Sequence, residues 1–178
     1  ALPEFFTQIG DLITDSFLQS GALWALTNIP GFPPIIQTVH ILGIAVIMGS
    51  GVLLNLRILG LAVPSQGITE MTSRVIPYLY IALVSNLVSG SFSVLGRPTR
   101  YFNNPVFAWK ILFLLGAIML TLYFASMHRK KAGYWEQESK KWIARTIALF
   151  SLGLWIMVSL SGRWIAYLEH LQYPIWSF

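Results

Sequence analysis

A few residues in this sequence combine chemical reactivity with an apolar setting. His40 and Gln37 sit three apart, so a helix carries both on one face. Ser85, Ser89 and Ser93 recur every four residues, with Asn86 alongside. Lys110 and Arg163 each lie within or beside a long apolar run. Ionisable side chains in hydrocarbon are rare and by default mark a functional site. The available chemistry is hydrogen bonding backed by positive charge. His40, Gln37, Asn86, Ser89, Ser93, Lys110 and Arg163 are therefore read as a ligand-binding set, suited to a quinone carbonyl, a haem propionate, a lipid headgroup or another anion. The plainer reading is that Lys110 and Arg163 extend to headgroups and that the serines let helices pack closely.

A second group gathers toward the other end of the same runs: Asn55, Arg57, Glu70, Arg74, His128 and Arg145. His128 precedes Arg129-Lys130-Lys131, about 18 Å from the middle of its run. That is interface depth. Arg57, Glu70, Arg74 and His128 are read as a structural cluster of anchoring cations, with Glu70 paired to Arg57 or Arg74.

Other chemistries find no residues. There is no cysteine, which removes disulfides and thiolate sites. No Ser-His-acid set, phosphate loop or carboxylate pair occurs at usable spacing. No metal site is assigned, because the three histidines lack nearby carboxylates. Haem b in a membrane bundle takes two axial ligands at matching depth. His40 lies about 10 Å from the middle of its run, His128 is on the opposite side, and His170 lies about 22 Å out. A bis-histidine haem within one chain is disfavoured, and His40 as a haem ligand is left to a methionine or a partner subunit. An enzyme is not expected.

The elements that must hold these residues follow from composition. Of the 178 residues, 55% are hydrophobic and 11% charged, against roughly 25% charge in a soluble domain. Four runs are long enough to cross a bilayer: about 34–61, 68–95, 105–128 and 142–169. Lipid offers no partner to a free backbone group, so each must be a helix. The expected fold is all-α: a polytopic four-helix transmembrane bundle forming a single domain. Pro33-Pro34 and Asn103-Asn104-Pro105 open the first and third spans, and Pro77 lies inside the second. Over residues 3–19, Phe5, Ile9, Leu12, Ile13 and Phe17 recur at helical spacing, as in an amphipathic interfacial helix or a helix packed on the bundle ends. Residues 1–20 carry no basic n-region of a signal peptide. The tail 171–178 is apolar and needs a membrane or a partner to cover it.

Lysine and arginine set the orientation. Arg129, Lys130, Lys131, Lys140 and Lys141 fill the loop before the fourth span, and Arg57 and Arg74 flank the loop after the first. Positive charge stays inside, so both termini are expected in the periplasm of a bacterial inner membrane. The +5 net charge is topological, and no nucleic-acid partner is expected. Trp155, near mid-span, is read as core packing or as a contact with a neighbouring subunit.

Several motifs carry a family resemblance: Thr38-Val39-His40-Ile41-Leu42-Gly43, Leu56-Arg57-Ile58-Leu59-Gly60-Leu61, Asn104-Pro105-Val106-Phe107 with Lys110, His128-Arg129, and Gly162-Arg163-Trp164-Ile165-Ala166-Tyr167. Over about 23–168 the chain resembles a domain-of-unknown-function family of small bacterial four-helix inner-membrane proteins, distantly similar to copper-resistance membrane proteins and four-helix cytochrome b subunits. The resemblance implies that His40, Arg57, Lys110, His128 and Arg163 occupy motif positions. Gln37 and Asn55 depart from it, since acidic residues are usual there. The expected function is a non-catalytic membrane subunit whose outward-facing pocket binds quinone, haem or a lipid headgroup, supporting electron transfer or anchoring a periplasmic redox protein. The alternatives are a structural accessory subunit among other membrane subunits, and a small transporter or copper-handling protein.

Overall fold

The computed structural model describes residues 2–131 and 133–168. It contains seven helices among those residues: α1 Leu2–Ile13, α2 Phe17–Asn28, α3 Phe32–Leu59, α4 Ile68–Gly96, α5 Pro98–Phe102, α6 Pro105–Lys130 and α7 Glu138–Leu168. A short 3-10 turn, Tyr134–Glu136, joins α6 to α7. Four of the helices are long and apolar enough to span a membrane. The protein is an all-α, multi-pass membrane bundle. At 1.5 Å per residue, helices of 26 to 31 residues run about 39–46 Å, longer than a hydrocarbon core of about 30 Å. Their outward faces stay apolar, with Ile81, Leu87 and Met119 exposed, as lipid requires.

Local sequence sets the helix limits. At the start of α3, Gly31 takes a left-handed φ of 74° and Pro33 and Pro34 fill the first turn. Its end is a glycine cap: Gly60 has φ 82° and donates to Arg57, while the Leu61 N–H reaches back to the Leu56 carbonyl. Asn104 caps α6 by accepting from Val106 N–H at 3.0 Å. Pro77 lies inside α4, which is helical on both sides of it.

The segment before the bundle differs from the single helix expected over 3–19. It forms two helices broken at Asp15, whose φ is 61°. Ser16 accepts from Gln19 N–H (3.3 Å), and the Gln19 side chain accepts from Asp15 N–H (2.6 Å). This is a close variant of the Ser-x-x-Gln capping box. Hydrophobic spacing alone does not see it. α1 packs on α5 and α6 through Phe6, Phe102 and Phe107, and Gly10 lies against Phe102. Phe5, Leu12, Phe17 and Trp24 remain exposed on the same two helices.

Within the bundle α3 is central. It packs against α4 and α7, and α7 packs in turn against α6. Trp155 is core, 2% exposed, with its indole over the bare backbone of Gly51. Beside it, Asn55 Nδ2 donates to Ser151 Oγ at 3.3 Å, next to a cavity of about 20 Å³. That is room for about one water. Because the spans alternate in direction, loops 60–67 and 131–137 share one end, called here the basic end. Helices α1, α2 and α5 cover the opposite, aromatic end. Residues 169–178, including His170 and the apolar tail, lie outside the described residues.

Candidate functional site

At the aromatic end, all four spans contribute to one polar cluster. His40 comes from α3, Asn86, Ser89 and Gly90 from α4, Lys110 from α6 and Gly162 from α7. Each lies roughly one and a half to three turns inside its helix end. His40 Nδ1 is 2.9 Å from Ser89 Oγ, and the Ser89 hydroxyl donates to the Ser85 carbonyl at 2.7 Å. That donation assigns the imidazole proton. A hydroxyl has one hydrogen, and a carbonyl can only accept it. Ser89 therefore meets His40 as an acceptor, Nδ1 carries the hydrogen, and Nε2 of the neutral ring keeps its lone pair. The Asn86 backbone carbonyl, also an acceptor, faces the same imidazole.

Two glycines, Gly43 and Gly90, make this cluster possible, and Gly162 lies beside it. The Asn86 carboxamide lies so close to Gly43 that a Cβ there would sit 2.0 Å from the amide. With each amide end facing its complement, Asn86 donates to the His40 carbonyl (3.0 Å) and accepts from Ile44 N–H (3.2 Å). One side chain of α4 is thus bonded to the backbone of α3. At Gly90 a Cβ would meet His40 Cε1 at 3.0 Å. On α7, Gly162 leaves bare backbone beneath the Lys110 ammonium, Nζ being 3.6 Å from where its Cβ would stand. Lys110 is partly buried and close enough to His40 to interact with it by charge. Among the described residues, no carboxylate forms an ion pair with Lys110.

Not every residue read from the sequence joins this cluster. Gln37 and Ser93 are exposed and make no side-chain hydrogen bond among the described residues. Arg163 is exposed on α7 and lies over the Tyr167 ring at 5.9 Å. Ser159, further along α7, donates to the Met48 sulfur at 3.1 Å. The glycines were missed as site residues, although Gly43 stands three residues after His40 and Gly90 directly follows Ser89.

The basic end has a different construction. Arg57, Lys141 and Arg145 line a cavity of about 500 Å³ with Glu136 and Trp135. Arg57 Nε donates to the Gln66 carbonyl in the loop after α3. Of the two expected pairings for Glu70, the structure contains Glu70–Arg74 at 2.7 Å, both side chains exposed. His128 is half-buried in the last turn of α6, at the opposite end of the bundle from His40. Asn55 belongs with Ser151 in the interior and not with these cations.

Residues 28–168, from the last residue of α2 through α7, match a family of unknown function, DUF6644. The chain belongs to that family. The DUF6644 match takes in all four spans, the His40 cluster and the basic-end cavity. It leaves α1 and nearly all of α2 outside. No curated protein and no solved structure matches the chain.

Proposed function

We propose that this DUF6644 chain is a non-catalytic membrane module whose aromatic-end cluster receives the headgroup of a quinone, in support of electron transfer or of a partner anchored there. The single observation behind this reading is the Lys110 ammonium near the His40 ring, which Ser89 holds by Nδ1, in the apolar zone. Lys110 donates to a quinone carbonyl. His40 Nε2 accepts from the hydroxyl of the reduced form, while Ser89 holds the ring by its other nitrogen. The Lys110 stem is flexible and rests on bare Gly162, so its ammonium can shift to a ligand without moving a helix. The lysine and arginine asymmetry supports a bacterial inner membrane with the aromatic end facing the periplasm.

Haem b is the second reading, and the same Nε2 lone pair favours it. A methionine or a partner subunit would then supply the other axial ligand, because His128 lies at the wrong end. The accessory-subunit reading keeps the exposed Trp164 and Tyr167 of α7 as a place for neighbouring subunits, and loses Trp155, which the bundle itself buries. A transporter or copper-handling role draws little from Met48, whose sulfur already accepts from Ser159.

The test is gentle purification followed by an absorption spectrum and organic extraction for quinone. The expected result is about one quinone per chain and no haem bands, with the quinone lost in both His40→Ala and Lys110→Met. Wild-type protein free of quinone and pigment, or quinone retained by both variants, overturns the reading.

A further inference from the structure

We infer that the basic-end cavity is a binding site for the phosphate-bearing headgroup of an anionic phospholipid. The cavity lies between the end of α3, the start of α4, the 3-10 turn and the first turns of α7. Three cations, Arg57, Lys141 and Arg145, line it against one carboxylate, Glu136. That carboxylate is already engaged, because Glu136 Oε1 accepts the Thr69 N–H at the start of α4 (3.1 Å). Lys141 is bonded to Glu138. Among the described residues neither Arg57 nor Arg145 has a carboxylate in ion-pair range. Two guanidinium groups thus face an open volume without a carboxylate in ion-pair range of either, and guanidinium is the side chain best shaped to grip phosphate oxygens.

The rest of the lining favours a lipid over free phosphate. Trp135 forms a rigid apolar floor: it is 2% exposed, stacked on Phe124 at 4.7 Å, and its indole N–H donates to the Phe124 carbonyl at 3.1 Å. Ile58 continues that floor. Trp142, on the same turn of α7 as Lys141, is exposed at the helix start, the level at which tryptophans meet headgroups. A volume of about 500 Å³ is far more than one phosphate fills and matches a headgroup with its glycerol. Basic pockets between spans on this side of a membrane commonly hold anionic headgroups.

The experiment is native mass spectrometry of the full chain released from detergent, titrated with phosphatidylglycerol, with phosphatidylcholine, and with inorganic phosphate alone. Phosphatidylglycerol is expected to bind at least about fivefold tighter than phosphatidylcholine, a preference of about that size being carried by each cation. Arg145→Gln, an exposed residue whose loss leaves the fold intact, is expected to remove most of that preference. Arg57→Gln with Arg145→Gln is expected to abolish it. Arg129→Gln with Lys130→Gln removes the same charge from the same face outside the cavity, and is expected to keep the preference. Equal binding of the two lipids by wild-type protein overturns the proposal. So does an equal loss in the Arg129/Lys130 control, which makes the effect one of general surface charge. Inorganic phosphate binding alone at millimolar concentration, and displacing the lipid, assigns the cavity to a soluble anion and also overturns it.

Discussion

His40 and Lys110 sit where four helices meet, and the atoms around them belong to the protein: Ser89, the backbone of α3, and three glycines that let neighbours come close. Arg57 and Arg145, some seventeen residues of helix away, face an open cavity in which lining cations outnumber the one lining carboxylate, Glu136. The first region is half-buried and prepositioned by hydrogen bonds; the second is open and carries more positive than negative charge. Position in the sequence suggests the reverse emphasis, because an ionisable residue inside a span is the usual functional flag while cations beside a loop are the usual topological anchors. The contrast separates two questions. A buried polar network specifies packing first, and a ligand must work within it. A charged cavity at a helix end already has a vacancy of the right sign.

The largest effect separating the two regions is steric. Gly43→Val is expected to drive Asn86 off the α3 backbone, breaking both of its hydrogen bonds, and to destabilise the protein by about 3 kcal/mol. Gly67→Ala at the basic end meets only Glu136 Oε1, at 3.0 Å. That carboxylate is the far end of a flexible side chain, so the expected change is below about 1 kcal/mol. Thermal unfolding of both variants in one detergent is the check. Equal losses erase the distinction between a packed and an open end.

Next in size is Ser89→Ala. Removing the hydroxyl takes away one acceptor of the half-buried His40 ring and leaves the Asn86 carbonyl, with an expected loss of about 1 kcal/mol. The nitrogen chemical shifts of His40 supply a second readout. Wild-type protein should show the proton on Nδ1, and the variant should show a weaker preference for that tautomer. A wild-type ring protonated on Nε2 would contradict the Ser85–Ser89–His40 chain and remove the acceptor on which quinone binding depends.

How far the sequence announces these features depends on their range. The four spans were legible because a run of about twenty apolar residues has one solution in lipid. The His40–Ser89 contact was half legible: its members were named from depth and spacing, whereas Gln37, Ser93 and Arg163 had equal claims until helix rotation turned them outward. Depth follows from counting residues; rotation is set by which neighbours fit, here by Gly43, Gly90 and Gly162. The break at Asp15 was readable in Ser16-x-x-Gln19, but hydrophobic spacing carried across it. The basic-end cavity was not readable, because it depends on Glu136 turning back to cap α4 and on Trp135 folding under the 3-10 turn. The first joins segments 67 residues apart, and the second folds a loop back onto the end of α6, eleven residues earlier.

A smaller effect concerns the charge at the packed end. Lys110 is partly buried without a carboxylate partner among the described residues. In protein stripped of bound quinone, Lys110→Met is expected to raise stability by about 1 kcal/mol, since it removes an uncompensated cation from an apolar site. In protein purified with quinone the sign should reverse, because the variant loses the bound ligand's stabilisation. Unfolding midpoints before and after extraction read the two cases. A destabilised variant in both states would mean that Lys110 serves packing alone.

The smallest expected change in stability comes from Glu136→Gln, and its value lies in separating two roles of one side chain. The glutamine keeps an oxygen that can accept the Thr69 N–H, so the cap on α4 survives and stability should move by only a few tenths of a kcal/mol, the part owed to charge at a helix start. The cavity, however, loses its one lining carboxylate while keeping Arg57, Lys141 and Arg145. Its affinity for phosphatidylglycerol should therefore rise about fivefold, the expectation for one unit of charge beside an anionic headgroup, while affinity for phosphatidylcholine stays level. Glu136→Ala should give the same lipid effect together with a loss of about 1 kcal/mol from the missing cap. Unchanged lipid selectivity in Glu136→Gln would mean that the cations of this end act as topological anchors, as their place in the sequence first suggested, and that the cavity between them stays a solvent-filled gap.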